Sequence, residues 1–296
     1  MQDSHLKLKV DGKPLAVTNL SFSHSLGNSV GAFEAEVHSK EFVSLKGKLG
    51  KQVEIILGSF KRYCLLEQLS YEPQKDLRIG GRDLISIMLD STAKPNSYAD
   101  GLMFNSLAKS ICDRFGFKYR GYKDKKLEGC VVNKGESYLG FLERYASPWV
   151  LTTKYGNDLK IIQEAGNMEI KEGFKLTGLE YNRDISDVYE SYELVDTSHS
   201  WMTGWKKSVG RKVNGSGPKG KQKLFFNESI DLQSELENRE SNALSITMTV
   251  DKVFNAQPGS ILKVDILGVK GDFKTKSITL ETSPSSINTQ IVGVKI

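Results

Sequence analysis

Three stretches between Leu77 and Ile162 decide how this chain is organised: LRIGGRDLISIMLDSTA (77–93), FNSLAKSICDRFGF (104–117) and ESYLGFLERYASPWVLTTKYGNDLKII (136–162). The first is a strand-like run that ends in Gly-Arg-Asp and continues to Leu-Asp-Ser. The second and third each carry an apolar stripe at helical spacing, which predicts two short amphipathic helices. The three stretches therefore mark a change of period from strand to helix and back.

The apolar stripe of the second stretch predicts a helix that ends at Gly116, because glycine favours the conformation that closes a helix. Its members are Phe104, Leu107, Ala108, Ile111, Cys112 and Phe115. A second stripe runs from Tyr138 to Ala146, and Ser147-Pro148 ends it. The sequence Tyr-Gly-Asn-Asp at 155–158 then predicts a hairpin turn. Residues 94–165 are therefore predicted to form an inserted α/β domain.

The flanking regions read as short strands. Apolar and polar residues alternate in runs such as Phe33 to Val37 and Leu244 to Val250, between Gly, Pro and Lys breaks. A polar helix is predicted over residues 231–243. The predicted fold is mainly β with an α/β insert: two antiparallel β-barrel-like domains, residues 1–93 and 166–296, flank a small helix-and-hairpin domain.

Composition, cysteine spacing and hydropathy give no indication of a nucleic-acid-binding, exported or membrane-spanning protein. The 296 residues carry a net charge of +5, from 41 basic and 36 acidic side chains, which is too mild to indicate nucleic-acid binding by itself. The cysteines Cys64, Cys112 and Cys130 are widely spaced, and the first two are predicted to be small core residues in a protein made in a reducing compartment. No signal core is evident at the N-terminus, and no run reaches the roughly 20 apolar residues of a spanning helix, so export and stable membrane insertion are not expected.

Residues 206–223, KKSVGRKVNGSGPKGKQK, predict a mobile basic loop. The stretch holds seven Lys/Arg, four Gly and no acid, and its apolar content is too small to anchor it in a core. With two nearby tryptophans it forms the candidate interface or channel loop: Lys206, Lys207, Arg211, Lys212, Lys219, Lys221, Lys223, Trp201 and Trp205. If the loop faces DNA, its contacts would be phosphate-directed and sensitive to salt. The alternative is a solvated loop that orders on assembly.

Two short motifs match sites that carry chemistry. Residues 27–31 fit G-x-S-x-G, but a nucleophile elbow needs a following helix, and the strand-like AFEAEV follows instead. Residues 215–220 fit G-x-G-x-x-G, but a phosphate cradle needs a preceding buried strand and a following helix. A hairpin loop and a flexible basic loop are therefore the favoured interpretations. Asp83 and Asp90 are expected to serve turns and ion pairs, for instance with Arg82.

No catalytic residue, metal site or cofactor is predicted. The four histidines are scattered without metal-ligand spacing. Trp149, Trp201 and Trp205 could line a sugar-binding face, although core or interface anchors are favoured. Two alternative functions stay open: a cell-wall hydrolase with a carboxylate pair as acid and base, and a carbohydrate-binding β module.

The chain resembles the baseplate hub proteins of contractile phage tails, the Mu-type or late control gene D group. These are related in fold to the hub of T-even phages and to the N-terminal part of type VI secretion spikes. The resemblance lies in Gly81-Arg82-Asp83 with the Leu89-Asp90-Ser91 and Ala93 that follow, in the helix closing with Phe-Gly, and in the helix-then-hairpin of residues 137–162. Residues 231–264 match a polar helix, an alternating strand, a Pro-Gly turn and a strand. The basic stretch 206–223 has no counterpart in this pattern, and no segment is left to hold a hydrolase module.

The resemblance implies a structural, non-enzymatic protein of the virion tail baseplate, assembled in the cytoplasm of the bacterial host. It implies a homotrimer whose paired barrels make a pseudo-six-fold ring joining the hexameric tail tube to the trimeric central spike. The implied partners are therefore the tail tube protein, the spike protein and the baseplate wedge proteins, with transient passage of DNA through the channel.

Overall fold

The computed structural model describes residues 6–25, 28–58, 60–71, 76–94, 98, 101–121, 123–146, 150–154, 158–162, 165–171, 174–200, 204–226, 231–254 and 257–296. The first third is built almost wholly of strands: β1 (Lys7–Val10), β2 (Lys13–Leu15), β3 (Val17–Ser25), β4 (Asn28–Val37), β5 (Gln52–Leu57), β6 (Phe60–Leu65), β7 (Gln68–Ser70) and β8 (Leu77–Arg82). A short 3-10 turn (Ser39–Glu41) and helix α1 (Phe42–Leu45) join β4 to β5.

The middle of the chain changes to helices, as the sequence predicts. Its elements are α2 (Ser86–Asp90), α3 (Phe104–Arg114), β9 (Lys118–Arg120), α4 (Tyr138–Ala146), β10 (Val150–Lys154) and β11 (Asp158–Ile162). Gly116 closes α3 with φ of 73°. The predicted turn residues 155–157 lie outside the described residues, but the strands on either side pair antiparallel. The two apolar stripes are buried together in one core with Phe104, Ile111 and Phe141.

The last part of the chain returns to strands around one polar helix: β12 (Ala165–Lys171), β13 (Gly178–Arg183), β14 (Ser191–Ser200), β15 (Gly204–Asn214), β16 (Gln222–Phe225), α5 (Leu232–Asn242), β17 (Leu244–Val250), β18 (Ser260–Ile266), β19 (Val269–Ser283) and β20 (Ser286–Lys295). Helix α5 begins at Asp231, whose side chain accepts a hydrogen bond from the backbone N–H of Gln233. The predicted polar helix is confirmed.

One sheet runs through both ends of the chain. Its strand order is β13-β17-β20-β19-β3-β4-β8-β7, with β12 and β18 attached beside β19. The long strand β19 makes this possible because its two halves have different partners on one edge. Residues Val269 to Lys274 pair with β18, and residues Ser277 to Thr282 pair with β3. A bulge between Thr275 and Ser277 marks the change.

Each end of the sheet covers its own hydrophobic core. The first core, between β3-β4-β8 and the four-stranded sheet β2-β1-β5-β6, contains Leu8, Phe33 and Ile55. The second core, formed by strands of the last third, contains Ile246, Leu262 and Phe273. The mainly β fold class is thus confirmed, and the two barrel-like units share a continuous sheet rather than standing apart. The domain bounds 1–93, 94–165 and 166–296 stay a prediction.

The prediction of a loop over residues 206–223 is wrong for residues 206–214 and 222–223, which lie in strands. Residues 204–214 form β15, which pairs with β14, and residues 222–225 form β16, which pairs with β14 in parallel. The hairpin base has a small core of its own, with Tyr192, Leu194 and Leu236. Pairing with β14 and β16 and this core at its base hold β15 in a three-stranded sheet. Low apolar content was therefore a poor reason to expect a loop.

Candidate functional site

Two regions hold the residues that the sequence singles out: the seam where β8 enters the helical module, and the basic segment of β15 and β16. The seam contains Gly81, which the fold requires to be glycine. A Cβ atom at this position would lie 1.7 Å from the carbonyl oxygen of Leu65. The same argument holds for Gly31, where a Cβ atom would lie 2.6 Å from the Phe22 ring. Both glycines therefore permit a close approach of packed strands.

Asp83, the next seam residue but one, is fully buried. Its carboxylate accepts a hydrogen bond from the backbone N–H of Gly31 at 3.0 Å and lies 3.7 Å from the Cys64 sulfur. Burial, together with the nearby Asp83 charge, raises the pKa of the Cys64 thiol well above its usual value. The carbonyl of Asp83 also accepts from Ser86 at 2.9 Å and starts the turn into α2. This acid therefore ties β4 and β8 to the helical module, and Cys64 is the core residue that the sequence predicts.

Arg82 makes two forked contacts. Its Nε and Nη2 atoms each donate to Glu67 at 2.8 Å, and its Nη1 and Nη2 atoms donate to Asp90 at 3.1 and 2.6 Å. Its hydrogen bonds lower the pKa of Asp90, and the two carboxylates raise the pKa of Arg82. The guanidinium thus links the entry to β7 with the end of α2. The prediction that Asp83 and Asp90 serve a turn and an ion pair is confirmed.

The predicted G-x-S-x-G and G-x-G-x-x-G matches have structural roles. Ser29 lies within β4, so a strand follows this motif, as expected. In the second motif, a Cβ atom at Gly215 or Gly217 would lie 2.4 Å from backbone atoms of Tyr189. The amides of this motif are also already used: Gly215 donates to Glu190, Gly217 to Tyr189 and Ser216 to the Glu240 carboxylate. Donors that are consumed in this way do not form a phosphate cradle.

The basic segment divides into cations that hold the hairpin base and cations that face outward. Lys221 donates to the carbonyl of Ser186 and lies 4.5 Å from the centre of the Tyr189 ring, with Lys223 5.5 Å from the same ring. Lys212 pairs at 3.0 Å with Glu193, whose side chain is only 8% exposed. These three of the predicted interface residues therefore stabilise the fold.

The remaining predicted interface residues separate into three groups. Arg211 and Lys219 are exposed and have no ion pair among the described residues. The second group, Trp205, Lys206 and Lys207, lies in strand β15, where Trp205 is the cross-strand partner of His199 in β14. Trp201 lies outside the described residues, as does Trp149, so the proposed sugar-binding face stays untested.

The structure also reveals acidic positions that the sequence analysis did not single out. Glu34, Glu36 and Glu281 line a groove on the outer face of the long sheet. The alternation of Phe33 to Val37 places Glu34 and Glu36 on one face, which is a usable signal. The approach of Glu281 was not predictable, because it depends on the pairing of β19 with β3.

The described part of the chain holds neither a metal-ligand cluster nor a helix that could span a membrane. None of its residues form a cluster of three His, Cys, Asp or Glu side chains that could hold a metal ion. Among the helices described, none combines the length and the apolar character that crossing a membrane requires.

Neither a protein-family model nor a curated protein sequence matches the chain. Solved structures do match. A 43 kDa tail protein of the prophage MuSo2 from Shewanella oneidensis superimposes with a TM-score of 0.73 and 16% identity, over 98% of each chain. A tail protein from Neisseria meningitidis gives a TM-score of 0.73 and 12% identity, over 98% of this chain and 96% of that one.

A third match comes from a secretion machine. It is an E. coli component of the type VI secretion system, described as structurally similar to the T4 bacteriophage tail proteins gp27 and gp5. Its TM-score is 0.58 at 11% identity, over 98% of this chain and 77% of that one. At such low identity the matches establish the fold. The resemblance predicted from the sequence is confirmed at this level: the chain has the fold of phage tail proteins and of a type VI secretion component.

Proposed function

We propose that this protein is the structural baseplate hub of a contractile tail, in a phage or a tail-like particle. The observation that carries the proposal is the end-to-end match, over at least 96% of both chains, with two phage tail proteins. Because the match spans nearly the whole of both chains, it supports the same overall arrangement of elements in this chain as in the two tail proteins. The role is structural and does not depend on catalysis.

The proposed oligomer is a homotrimer that forms a pseudo-six-fold ring. The two barrel-like units of each chain have separate cores but share one sheet through β19. Three chains would place six such units around an axis, so that one face could accept a hexameric tail tube and the other a trimeric spike. The shared sheet supports this arrangement because it fixes the relative orientation of the two units.

The proposed partners follow from the same ring. Tail tube protein would bind one face, the central spike the other, and baseplate wedge proteins the periphery near the helical module. DNA would pass transiently through the channel. The protein would be assembled in the cytoplasm of the bacterial host and would reside in the tail baseplate.

Electron microscopy of the full chain, co-expressed with its tube and spike proteins, tests the proposal. We expect a three-fold ring with a mass of about three times 33.0 kDa for the hub portion. A chain that stays monomeric and never joins a ring with these proteins would contradict it. A zymogram on purified cell wall is the second arm, since clearing by the purified chain would show that the role is not purely structural.

A further inference from the structure

A groove of about 700 Å³ lies on the outer face of the long sheet, across β19, β3, β4, β8 and β7. The opposite side of these strands packs on the first hydrophobic core through residues such as Leu20, Phe33 and Ile79. The charged residues that line the groove are Glu34, Glu36, Glu281 and Arg78. Three carboxylates therefore face one guanidinium across this surface.

The acids of the groove are not equally neutralised. Glu36 accepts from Asn19 at 2.6 Å and pairs with Arg78 at 3.3 Å. Glu34 and Glu281 are exposed and lie in register on either side of Ser21, and neither has an ion pair among the described residues. Because adjacent strands are about 4.8 Å apart, these two positions lie roughly 10 Å apart on one face. Within the described part of the chain, the groove thus presents two carboxylates without an ion pair, those of Glu34 and Glu281.

The β14–β15 hairpin has the opposite balance. Beyond the internal pair of Lys212 with Glu193, its strands carry Lys206, Lys207 and Arg211 against the single acid Asp196. The register, which shifts between Leu194 and Val195, places positions 206 and 211 on one face of the hairpin and position 207 on the other. The hairpin base packs on α5 through a small core, and β16 adds a third strand. None of the hairpin residues that the structure describes lines the groove of its own chain.

We propose that the groove, defined by Glu34, Glu36 and Glu281, is the docking surface for the β14–β15 hairpin of a second copy of this chain. The two surfaces have matching excess charges of opposite sign. A polynucleotide is excluded as the occupant because the groove would repel its phosphates. The inference rests on the proposed homo-oligomer and names the contact that holds neighbouring subunits in register.

Charge reversal on each surface, and then on both, tests the contact. One variant carries Glu34→Lys and Glu281→Lys, the second carries Lys206→Glu and Arg211→Glu on one face of the hairpin, and the third carries all four changes. The subunit dissociation constant is measured on the full chain by sedimentation, in the presence of the spike if the wild type needs it. Glu128→Lys, an exposed change in the helical module, is the matched control.

We expect each double reversal to weaken association at least about tenfold, and the four-fold exchange to recover most of that loss, because the pairs are restored with inverted sign. Glu128→Lys should have no effect. If the wild type assembles and neither reversal weakens it, the docking contact is wrong while the proposed function stands. If only the hairpin reversal acts, the hairpin binds a different partner and the contact is also wrong. A wild type that never assembles would instead contradict the proposed function.

Discussion

The seam around Gly81, Arg82 and Asp83 and the β14–β15 hairpin use charge in different ways. At the seam, Arg82 satisfies Glu67 and Asp90 within one chain, and Asp83 is buried against a backbone amide. On the hairpin, the described internal ion pair lies at the base, where Lys212 contacts Glu193. Charge that is satisfied inside the chain stabilises the fold, whereas the exposed charge of Arg211 remains available to a partner.

The largest expected difference between the two regions comes from glycine substitutions. Gly81→Ala should destabilise the protein by about 3 kcal/mol or more, because the new methyl group would meet the Leu65 carbonyl at 1.7 Å. Gly210→Ala on β15 is the control, since its Cβ atom would lie 3.8 Å from the Leu194 carbonyl oxygen, an ordinary van der Waals distance. We expect less than about 0.5 kcal/mol for the control. Chemical denaturation measures the free energy of unfolding of both variants. Equal losses of stability would contradict the proposed difference between seam and hairpin.

The buried acid gives the next largest effect. Asp83→Ala should cost about 2–3 kcal/mol of unfolding free energy, because the buried Gly31 amide loses its acceptor. Arg211→Ala, an exposed change on the hairpin, should change stability by less than about 0.5 kcal/mol. Thermal unfolding of the two variants tests this. A loss for Arg211→Ala as large as that for Asp83→Ala would show that the hairpin also stabilises the folded monomer through this charge.

The ion pairs of the seam should contribute less than its buried groups. Arg82→Met should cost about 1 kcal/mol, because the forked contacts are partly exposed to solvent. Arg78→Met, on the same strand, should have almost no effect, since the Arg78 side chain is 74% exposed. Urea denaturation compares them. A negligible effect at Arg82 would mean that packing alone holds the seam.

The smallest expected effect is a pH dependence at the seam. The pKa of Asp90 is lowered by its hydrogen bonds to Arg82, so its contribution is present above the usual value of 3.8 and is lost as pH falls through the folded-state value. The stability difference between wild type and Asp90→Asn should therefore be present at neutral pH and shrink in acid below that usual value. A difference that grows on acidification would contradict the sign.

Local features of the fold were predictable from the sequence, and long-range pairings were not. The stripe from Phe104 to Phe115 identifies α3 because helix burial repeats over a few residues. The pairing of β3 with β19 joins residues near opposite ends of the chain, and no local pattern encodes it. Composition also misled at residues 206–223, where β15 is ordered by its backbone pairing with β14 and by the small core at its base.

The candidate functional regions show the same division between local features, which were predictable, and long-range contacts, which were not. The basic positions of the hairpin were visible in the sequence, as was the role of Arg82 with Asp90. The anchoring role of Lys221 was not, because it depends on Tyr189 lying beneath it. Glu281 enters the acidic groove only through the pairing of two distant strands, so the groove required the structure.

Hydrogen exchange of the free and the assembled protein tests the contrast between seam and hairpin most directly. The backbone amides of residues 204–212 should exchange at least about tenfold more slowly in the assembled ring, because docking suppresses the local opening of the hairpin. The amides of Asp83 and Ser86, which do not line the groove, should exchange at the same rate in both states. Hairpin amides that exchange equally fast in both states would contradict the account, as would protection that appears only at the seam.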